Sequence, residues 1–433
     1  MRIALLSYRS KPHCGGQGVY VRHLSRELAL LGHQVEVFSG QPYPDLDATA
    51  IEAGVTLTKV PSLDLYNDEN PFRTPWPWEI KSWIDALEVL TMWTAGFPEP
   101  LTFSLRAAKL LKRRTDDFDV VHDNQCLGYG LLQIERDGLP VVATIHHPIT
   151  RDRELAVKAA KGWHKITARR WHGFLRMQGK VARKIPRLLT VSRSSEVDIR
   201  KAFGIPEGRL TTIPLGVNTE QFRPSADRVA GRIVCVASAD APLKGVSYLL
   251  EAVAKLRAER PVELMLVSKL VAGGPSDTRI DELSIRDSVN VVSGLDDDEL
   301  AALLASAEVA CVPSLYEGFS LPAVEAMSCG TPLVATRAGA IPEVVGEAEE
   351  AAILVPPMDS GALATALGRL LDNAELRDRL GAGGRARVEE RYSWAAVAAR
   401  TAQNYQEAID EFVDSNNFGQ SKASGIGGSV ANR

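Results

Sequence analysis

"PSLYEGFSLPAVEAMSCG", residues 313–330, overlaps an apolar run, "VACVPS" (309–314), and leads into a helical one. Two glutamates, Glu317 and Glu325, flank Ser320-Leu321-Pro322. The apolar run reads as a β-strand. Serine suits a helix N-cap, and proline is tolerated in a first turn because the N–H it lacks has no partner there. A strand feeding a helix across a short loop is the repeating unit of a parallel sheet, and such a loop lies where open α/β sheets bind ligands. The first-turn N–H groups and the positive end of the helix dipole favour an anion such as a phosphate. Glu325, inside the helix, can accept two hydroxyl hydrogen bonds from a ribose. Glu317, on the loop, can do the same for a second group beyond the phosphates. Either acid alone reads equally well as solvated; the pair around E-G-F-S-L-P-x-x-E points to a ligand.

The alternation extends in both directions. "RIALLSY" (2–8), "QVEVFSG" (34–40), "DVVHD" (119–123), "VVATIHH" (141–147) and "RLLTVS" (187–192) are short β-rich runs. A helical segment, 19–31, sits between the first two and stops at Gly32. The series restarts with "RIVCVAS" (232–238), a helix over 246–260, "VELMLVS" (262–268), "VNVVSG" (289–294), "VACVPS" (309–314) and "PLVAT" (332–336). Near-continuous apolar strands separated by helices mean parallel sheets covered on both faces. The chain is therefore α/β, with two doubly wound, Rossmann-like domains. The first spans 1–213, with insertions at 64–104, which holds Trp76, Trp78, Trp83 and Trp93, and at 151–187. The second spans 214–392, followed by a helix over 393–414. The polar, glycine-rich 415–433 is expected to be a disordered tail.

A length of 433 residues is too great for one ordinary core, in keeping with two domains. The 50 basic and 54 acidic residues leave a charge of −4, which gives no reason to expect nucleic acid. Five scattered cysteines (Cys14, Cys126, Cys235, Cys311, Cys329) form no C-x-x-C pair, which argues against structural zinc or disulfides and for a cytoplasmic setting. "MRIALLSY" has no cleavage pattern and reads as a strand. No stretch approaches the ~18–20 apolar residues that span a bilayer.

Three further stretches carry chemistry. In "KPHCGGQGVY" (11–20), Gly15, Gly16 and Gly18 let backbone approach an anion at a helix N-terminus, although Val21 breaks the dinucleotide pattern G-x-G-x-x-G. In "ADAPLKG" (239–245), Lys244 follows a strand, where an ammonium can neutralise a diphosphate leaving group. His146 and His147 end one strand, and His122 and Asp123 end its neighbour in sequence, at an edge that faces a crevice.

Together these stretches resemble the retaining nucleotide-sugar glycosyltransferases of family 4, which have the GT-B fold. "EGFSLPAVEAMSCGTPLVAT" is the most specific part, joined in order by "GGQGVYVRHLSRELALLGHQVEV", "IPLGVN" and "LKG". The resemblance implies two Rossmann-like domains facing a central cleft, donor on the second and acceptor on the first. Glu325 would bind the ribose, and Glu317 the transferred sugar. Backbone N–H groups of Gly318, Phe319, Ser320 and Leu321 would hold sugar and diphosphate. Lys244 would contact the phosphates, Gly15 and Gly16 would pack near them, and the segment at Gly294 would line the base. His146 would touch the donor sugar near the reacting centre, so that His146, Lys244 and Glu317 form the implied catalytic set. His13, Tyr20, His122, Asp123, Arg151 and Arg153 are the acceptor-side candidates. One departure stands out: the family's usual arginine, five residues before the lysine, is Ala239 here, and Lys269 is a candidate to replace its charge. Asn218 stands for the aspartate of "IPxGVD".

The resemblance implies front-face transfer with retention, the donor's own β-phosphate taking the acceptor proton, with neither metal nor cofactor. A UDP-glucose-like donor comes first and a GDP-mannose-like one next; the acceptor is a glycan, a lipid-linked molecule or a small molecule. Another GT-B enzyme, such as an epimerase or phosphorylase, and a non-catalytic nucleotide-sugar-binding protein are the competing readings. The segment 151–187 carries twelve lysines and arginines against Asp152 and Glu154. It is expected to form one helix with a basic stripe, either a solvated face or a landing face for an anionic membrane.

Overall fold

The computed structural model describes residues 1–10, 16–67, 70–225, 227–346 and 349–426. The chain divides into two compact units. Unit 1 holds Met1–Thr190, Val197–Ile213 and the chain from Ala398 on; unit 2 holds Val191–Glu196 and Pro214–Val397.

Among the described residues, unit 1 contains a parallel sheet of β1 (Arg2–Ser7), β2 (Gln34–Ser39), β3 (Thr56–Lys59), β4 (Val120–Asn124), β5 (Val141–Ile145), β6 (Arg187–Thr190) and β7 (Leu210–Thr212). The strand order is β3-β2-β1-β4-β5-β6-β7. Ile3, Ala4, Leu5 and Leu6 of β1 are all fully buried, because β1 is central and covered on both faces. The order reverses between β1 and β4, and ligands of open α/β sheets bind beyond the carboxyl ends at such a point.

Unit 2 repeats the plan with β8 (Val229–Val236), β9 (Glu263–Val267), β10 (Val289–Val292), β11 (Ala307–Val312), β12 (Leu333–Thr336) and β13 (Ala352–Val355). Here the order is β10-β9-β8-β11-β12-β13, with the reversal between β8 and β11. A core cluster that includes Ile233, Leu249, Leu264, Val309, Val334 and Leu367 fills the space between sheet and helices.

Of three segments, the first and third differ from the sequence expectation and the second adds to it. First, 151–187 is three helices, Thr150–Ala159, His164–Trp171 and Phe174–Ala182. Gly162, at φ +54, interrupts the helical ladder, so no single stripe runs through. Trp163 and Ile166 are exposed, whereas Met177 and Val181 are buried in the unit 1 core. Second, the insertion 64–104 holds the helix Trp83–Trp93, which buries Ile84, Val89 and Met92 and leaves Trp83, Leu90 and Trp93 in solvent. Arg170 joins the two insertions, its Nε donating to Thr94 O at 3.2 Å and its Nη2 to Thr94 Oγ1 at 3.1 Å. Third, the last helix runs from Trp394 to Ile426, through much of the expected tail. Residues 415–426 contain no proline, so no missing N–H or ring clash ends the ladder, and Gly419 and Gly425 weaken it without stopping it. Residues 427–433 lie outside the described residues. No helix among the described residues is long and apolar enough to cross a membrane.

The last helix is tied to unit 1 by polar contacts. Tyr405 is fully buried, with its hydroxyl 2.6 Å from His122 Nδ1, and His122 Nε2 lies 2.7 Å from Thr144 Oγ1. Arg187 on β6 pairs with both Glu407 and Glu411. Replacing Tyr405 by phenylalanine strands a buried imidazole nitrogen. A loss of about 1–3 kcal/mol is expected, read as a lower denaturation midpoint with the far-UV signal of the native protein unchanged.

Candidate functional site

The stretch after β11 is held through its carbonyl oxygens. Ala340 N–H donates to Glu317 O at 2.9 Å, and the hydroxyls of Ser192 and Ser195 donate to Gly318 O at 2.6 and 3.0 Å. Gly339 makes the first contact feasible: it sits at φ +56, and a Cβ there would lie 2.2 Å from Glu317 O. Phe319 is buried and meets Tyr392 edge-on at 5.6 Å. With the carbonyls engaged, the N–H groups of Gly318, Phe319, Ser320 and Leu321 donate to no group among the described residues.

Ser320 precedes the helix Leu321–Ser328 but does not cap it in the expected way. At φ +94 and ψ +74 it is left-handed, which carries its side chain away from the first-turn N–H groups. Its hydroxyl is buried and has no partner among the described residues. A non-glycine residue in this conformation stores strain, and such strain gathers at functional sites. N–H groups and a hydroxyl without partners among the described residues, at a helix N-terminus, suit an anion chemically.

Lys244 ends the short 3-10 turn Pro242–Lys244. Gly245 follows at φ +63, where a Cβ would stand 2.1 Å from Pro313 O, so the turn packs directly on the end of β11. Lys244 Nζ lies 2.8 Å from Glu317 Oε1, and Ser314 Oγ donates to the same oxygen at 2.6 Å. The two groups expected to take separate parts of a ligand are paired with each other. Glu325, one turn into the helix, makes no side-chain hydrogen bond among the described residues. Burial, with the nearby charge of Asp297, pushes its carboxyl up to about 7.

The remaining unit 2 candidates lie at the same carboxyl edge. Ala239 is buried, its N–H donating to Ser268 Oγ at 2.9 Å, and Lys269 is exposed one residue beyond that serine. Gly294, at φ +76, follows β10 with open space on its Cβ side.

In unit 1, His13 and Gly15 lie outside the described residues, and Gly16 begins the helix Gly16–Leu30. His146 follows β5 and is buried; Nε2 lies 2.7 Å from Asn124 Oδ1, and its ring meets Tyr20 edge-on at 4.9 Å. Burial, with the neighbouring His147 and His122, lowers its pKa to about 3. Tyr20 is itself buried, its hydroxyl 3.3 Å from Thr144 Oγ1. Two acceptor-side candidates are corrected. His122 is fully buried with both ring nitrogens engaged, and Asp123 is fully buried with Oδ2 accepting Leu127 N–H at 2.9 Å. Both faces of β4 are covered, so neither side chain lines a surface. Arg151 and Arg153 lie on the helix Thr150–Ala159, and Arg153 is half-buried. Sequence reading passed over Ser192, Ser195, Ser314, Asn124 and Gln125. The available signal was polar residues just past apolar strands, in "TVSRSS", "VPS" and "VVHDNQ".

Two parallel-sheet α/β units, each with its switch point, are the architecture of a GT-B glycosyltransferase, and the similarities to known proteins agree. The chain belongs to glycosyltransferase family 4. Residues 14–221 match the family model "Glycosyltransferase Family 4", and residues 217–387 match "Glycosyl transferases group 1". The chain is 64% identical to the "MMP alpha-(1->4)-mannosyltransferase" of Mycolicibacterium hassiacum, over 94% of this chain and 98% of that one. It is 30% identical to "D-inositol 3-phosphate glycosyltransferase 2" of Catenulispora acidiphila, over 95% and 96% of the two chains. The fold is similar to that of sucrose-phosphate synthase from Thermosynechococcus elongatus, with TM-score 0.72 at 24% identity, covering 95% and 99%.

A carboxyl group that accepts two ribose hydroxyls must be ionised, whereas Glu325 is half protonated near pH 7. Nucleotide affinity should therefore rise with pH across about pH 6–8, with proton release on binding. Calorimetry in two buffers of different ionisation enthalpy reads that release, and Glu325→Gln should abolish it.

Proposed function

We propose that this protein is a retaining mannosyltransferase that moves mannose from a nucleotide-diphosphate mannose to a hydroxyl of a glycan. The observation that carries the sugar is the 64% identity to a mannosyltransferase over nearly the full length of both chains. Mannose thereby displaces glucose as the first choice, and the relative's name supports an α-(1→4) product.

Glu325 clamps the ribose, and the segment at Gly294 lines the base. The N–H groups of Gly318 to Leu321, the Ser320 hydroxyl and Lys244 receive the diphosphate, with Lys269 supplying the charge that Ala239 lacks. Glu317 accepts hydroxyls of the sugar, and the family resemblance supports His146 as a further contact of the sugar. The bond from C1 to the β-phosphate oxygen breaks while the acceptor oxygen bonds to C1 from the same face. The departing β-phosphate takes the acceptor proton, so the α configuration is kept. Fixed N–H dipoles and an ammonium stabilise the leaving diphosphate without a divalent cation. The test is a thermal-shift comparison of GDP-mannose with UDP-glucose, followed by linkage analysis of the product on an oligomannoside. Stabilisation by GDP-mannose and an α-(1→4) mannosyl product are expected. Preference for UDP-glucose, or a β-linked product, overturns the proposal.

The broken basic segment supports a contact as well. Residues 155–187 contain no acid, and Lys158, Lys161, Lys165, Arg169 and Arg170 are exposed around exposed Trp163 and Ile166. Cations beside a tryptophan suit an anionic membrane surface, where each is worth about 1 kcal/mol. Co-sedimentation with anionic vesicles at low salt is expected, fading at high salt. Equal pelleting with neutral vesicles, or none with either, returns this face to solvent.

A further inference from the structure

Asn124, the last residue of β4, is fully buried, and its amide can be oriented from its neighbours alone. One end, Nδ2, lies 3.2 Å from the carbonyl oxygen of Gln17 and 3.5 Å from Ser7 Oγ. A backbone carbonyl only accepts, so the amide's NH2 faces Gln17, and Oδ1 faces the other way. Oδ1 lies 2.7 Å from His146 Nε2. An amide oxygen also only accepts, so the proton of that hydrogen bond belongs to His146 Nε2. Reversing the amide would set two carbonyl oxygens against each other at one end.

A second amide holds the backbone of the same residues. Gln125 sits in the left-handed region at φ +58. Its Oε1 accepts His146 N–H at 2.7 Å, and its Nε2 donates to His147 O at 3.0 Å. One side chain thus bridges the N–H of the first histidine and the C=O of the second, as a neighbouring strand would. Gln178 Nε2 in turn donates to Gln125 O at 3.1 Å, which holds the strained residue in place.

Resting on the reading of His146 as a contact of the donor sugar, we propose that Asn124 is a positioning residue that keeps the His146 proton on Nε2 and its lone pair on Nδ1. The ring is then neutral, and His146 is not a cation for the phosphates. Burial, which lowers the pKa of His146 to about 3, agrees with a neutral ring. Gln125 supplies the other half of the device, fixing where the ring stands while Asn124 fixes which nitrogen is which.

Protein labelled with 15N at imidazole gives the protonation state of each ring nitrogen, and the His146 signals among the eight histidines are assigned by their loss in His146→Gln. In the native protein Nε2 should be protonated and Nδ1 bare. Asn124→Asp keeps an acceptor opposite Nε2, so Nε2 should stay protonated, although its second carboxylate oxygen faces the carbonyl oxygen of Gln17. Asn124→Leu removes it, and both tautomers should appear, with kcat/KM for transfer falling about 10–100-fold, the range for partners that orient a functional histidine. Nucleotide affinity should stay unchanged in both variants, and thermal melting checks that each is folded. A bare Nε2 in the native protein, or a tautomer in Asn124→Leu identical to the native one, overturns the proposal. A changed tautomer with unaltered transfer supports the role of Asn124 and overturns instead the reading of His146 as a sugar contact.

Discussion

The loop after β11 depends on two carbonyl oxygens held by groups from elsewhere in the chain. Peptide units are planar, so holding the C=O of Glu317 and Gly318 turns the N–H groups that follow outward. The holding groups come from far along the chain: Ala340 after β12, and Ser192 and Ser195 from the short piece Val191–Glu196 that belongs to unit 2. Gly245 and Gly339 allow the approach, since a side chain at either would collide with backbone. A loop with two of its carbonyls fixed needs little reorganisation when charge develops on a leaving group, and fixed dipoles of this kind are among the strongest contributions to catalysis.

Unit 1 works by a different principle, with polar groups inside the sheet layer instead of a strained loop. Tyr405, His122, Thr144 and Tyr20 form one hydrogen-bonded series from the last helix to a point beside His146. Each member is buried, so a broken link leaves an unsatisfied group in a low-dielectric setting. Such series specify one arrangement of the core more sharply than apolar contacts do. The last helix is consequently anchored at a defined register on the sheet, with Arg187 and its two glutamates as an outer tie.

Much of this was legible in the sequence. The central strands announce themselves as unbroken apolar runs, because parallel strands covered on both faces need them. The strands that escaped notice, β3, β7 and β13, are all sheet edges of three or four residues. Thr56–Lys59 and Leu210–Thr212 are too polar to stand out, and "AILV" is too short to tell from a helical fragment. The loop around Glu317 was legible because its chemistry is local: strand, loop, helix and two acids in one stretch. What could not be read were the long-range holds. Nothing about Ser192 in its own neighbourhood says that it meets Gly318, and a left-handed Ser320 contradicts the capping preference of serine. His122 and Asp123 misled for a related reason. Polar residues at a strand end suggest an open edge, yet here the last helix and the chain turn after β4 cover them.

The ion pair between Lys244 and Glu317 has a consequence for which molecules can occupy the site. Each group satisfies the other, with Ser314 sharing the carboxylate. An anion alone, such as inorganic phosphate, can attract Lys244 only by leaving the carboxylate of Glu317 short of a donor. A neutral sugar alone offers hydroxyls to Glu317 but leaves the ammonium of Lys244 short of an acceptor. Each half-ligand therefore works against the interaction it must open, and gains little. A molecule that carries negative oxygens and hydroxyls in one covalent frame replaces both partners at once. On the proposed function, the pair disfavours a free phosphate or a free sugar and favours the conjugate that carries both.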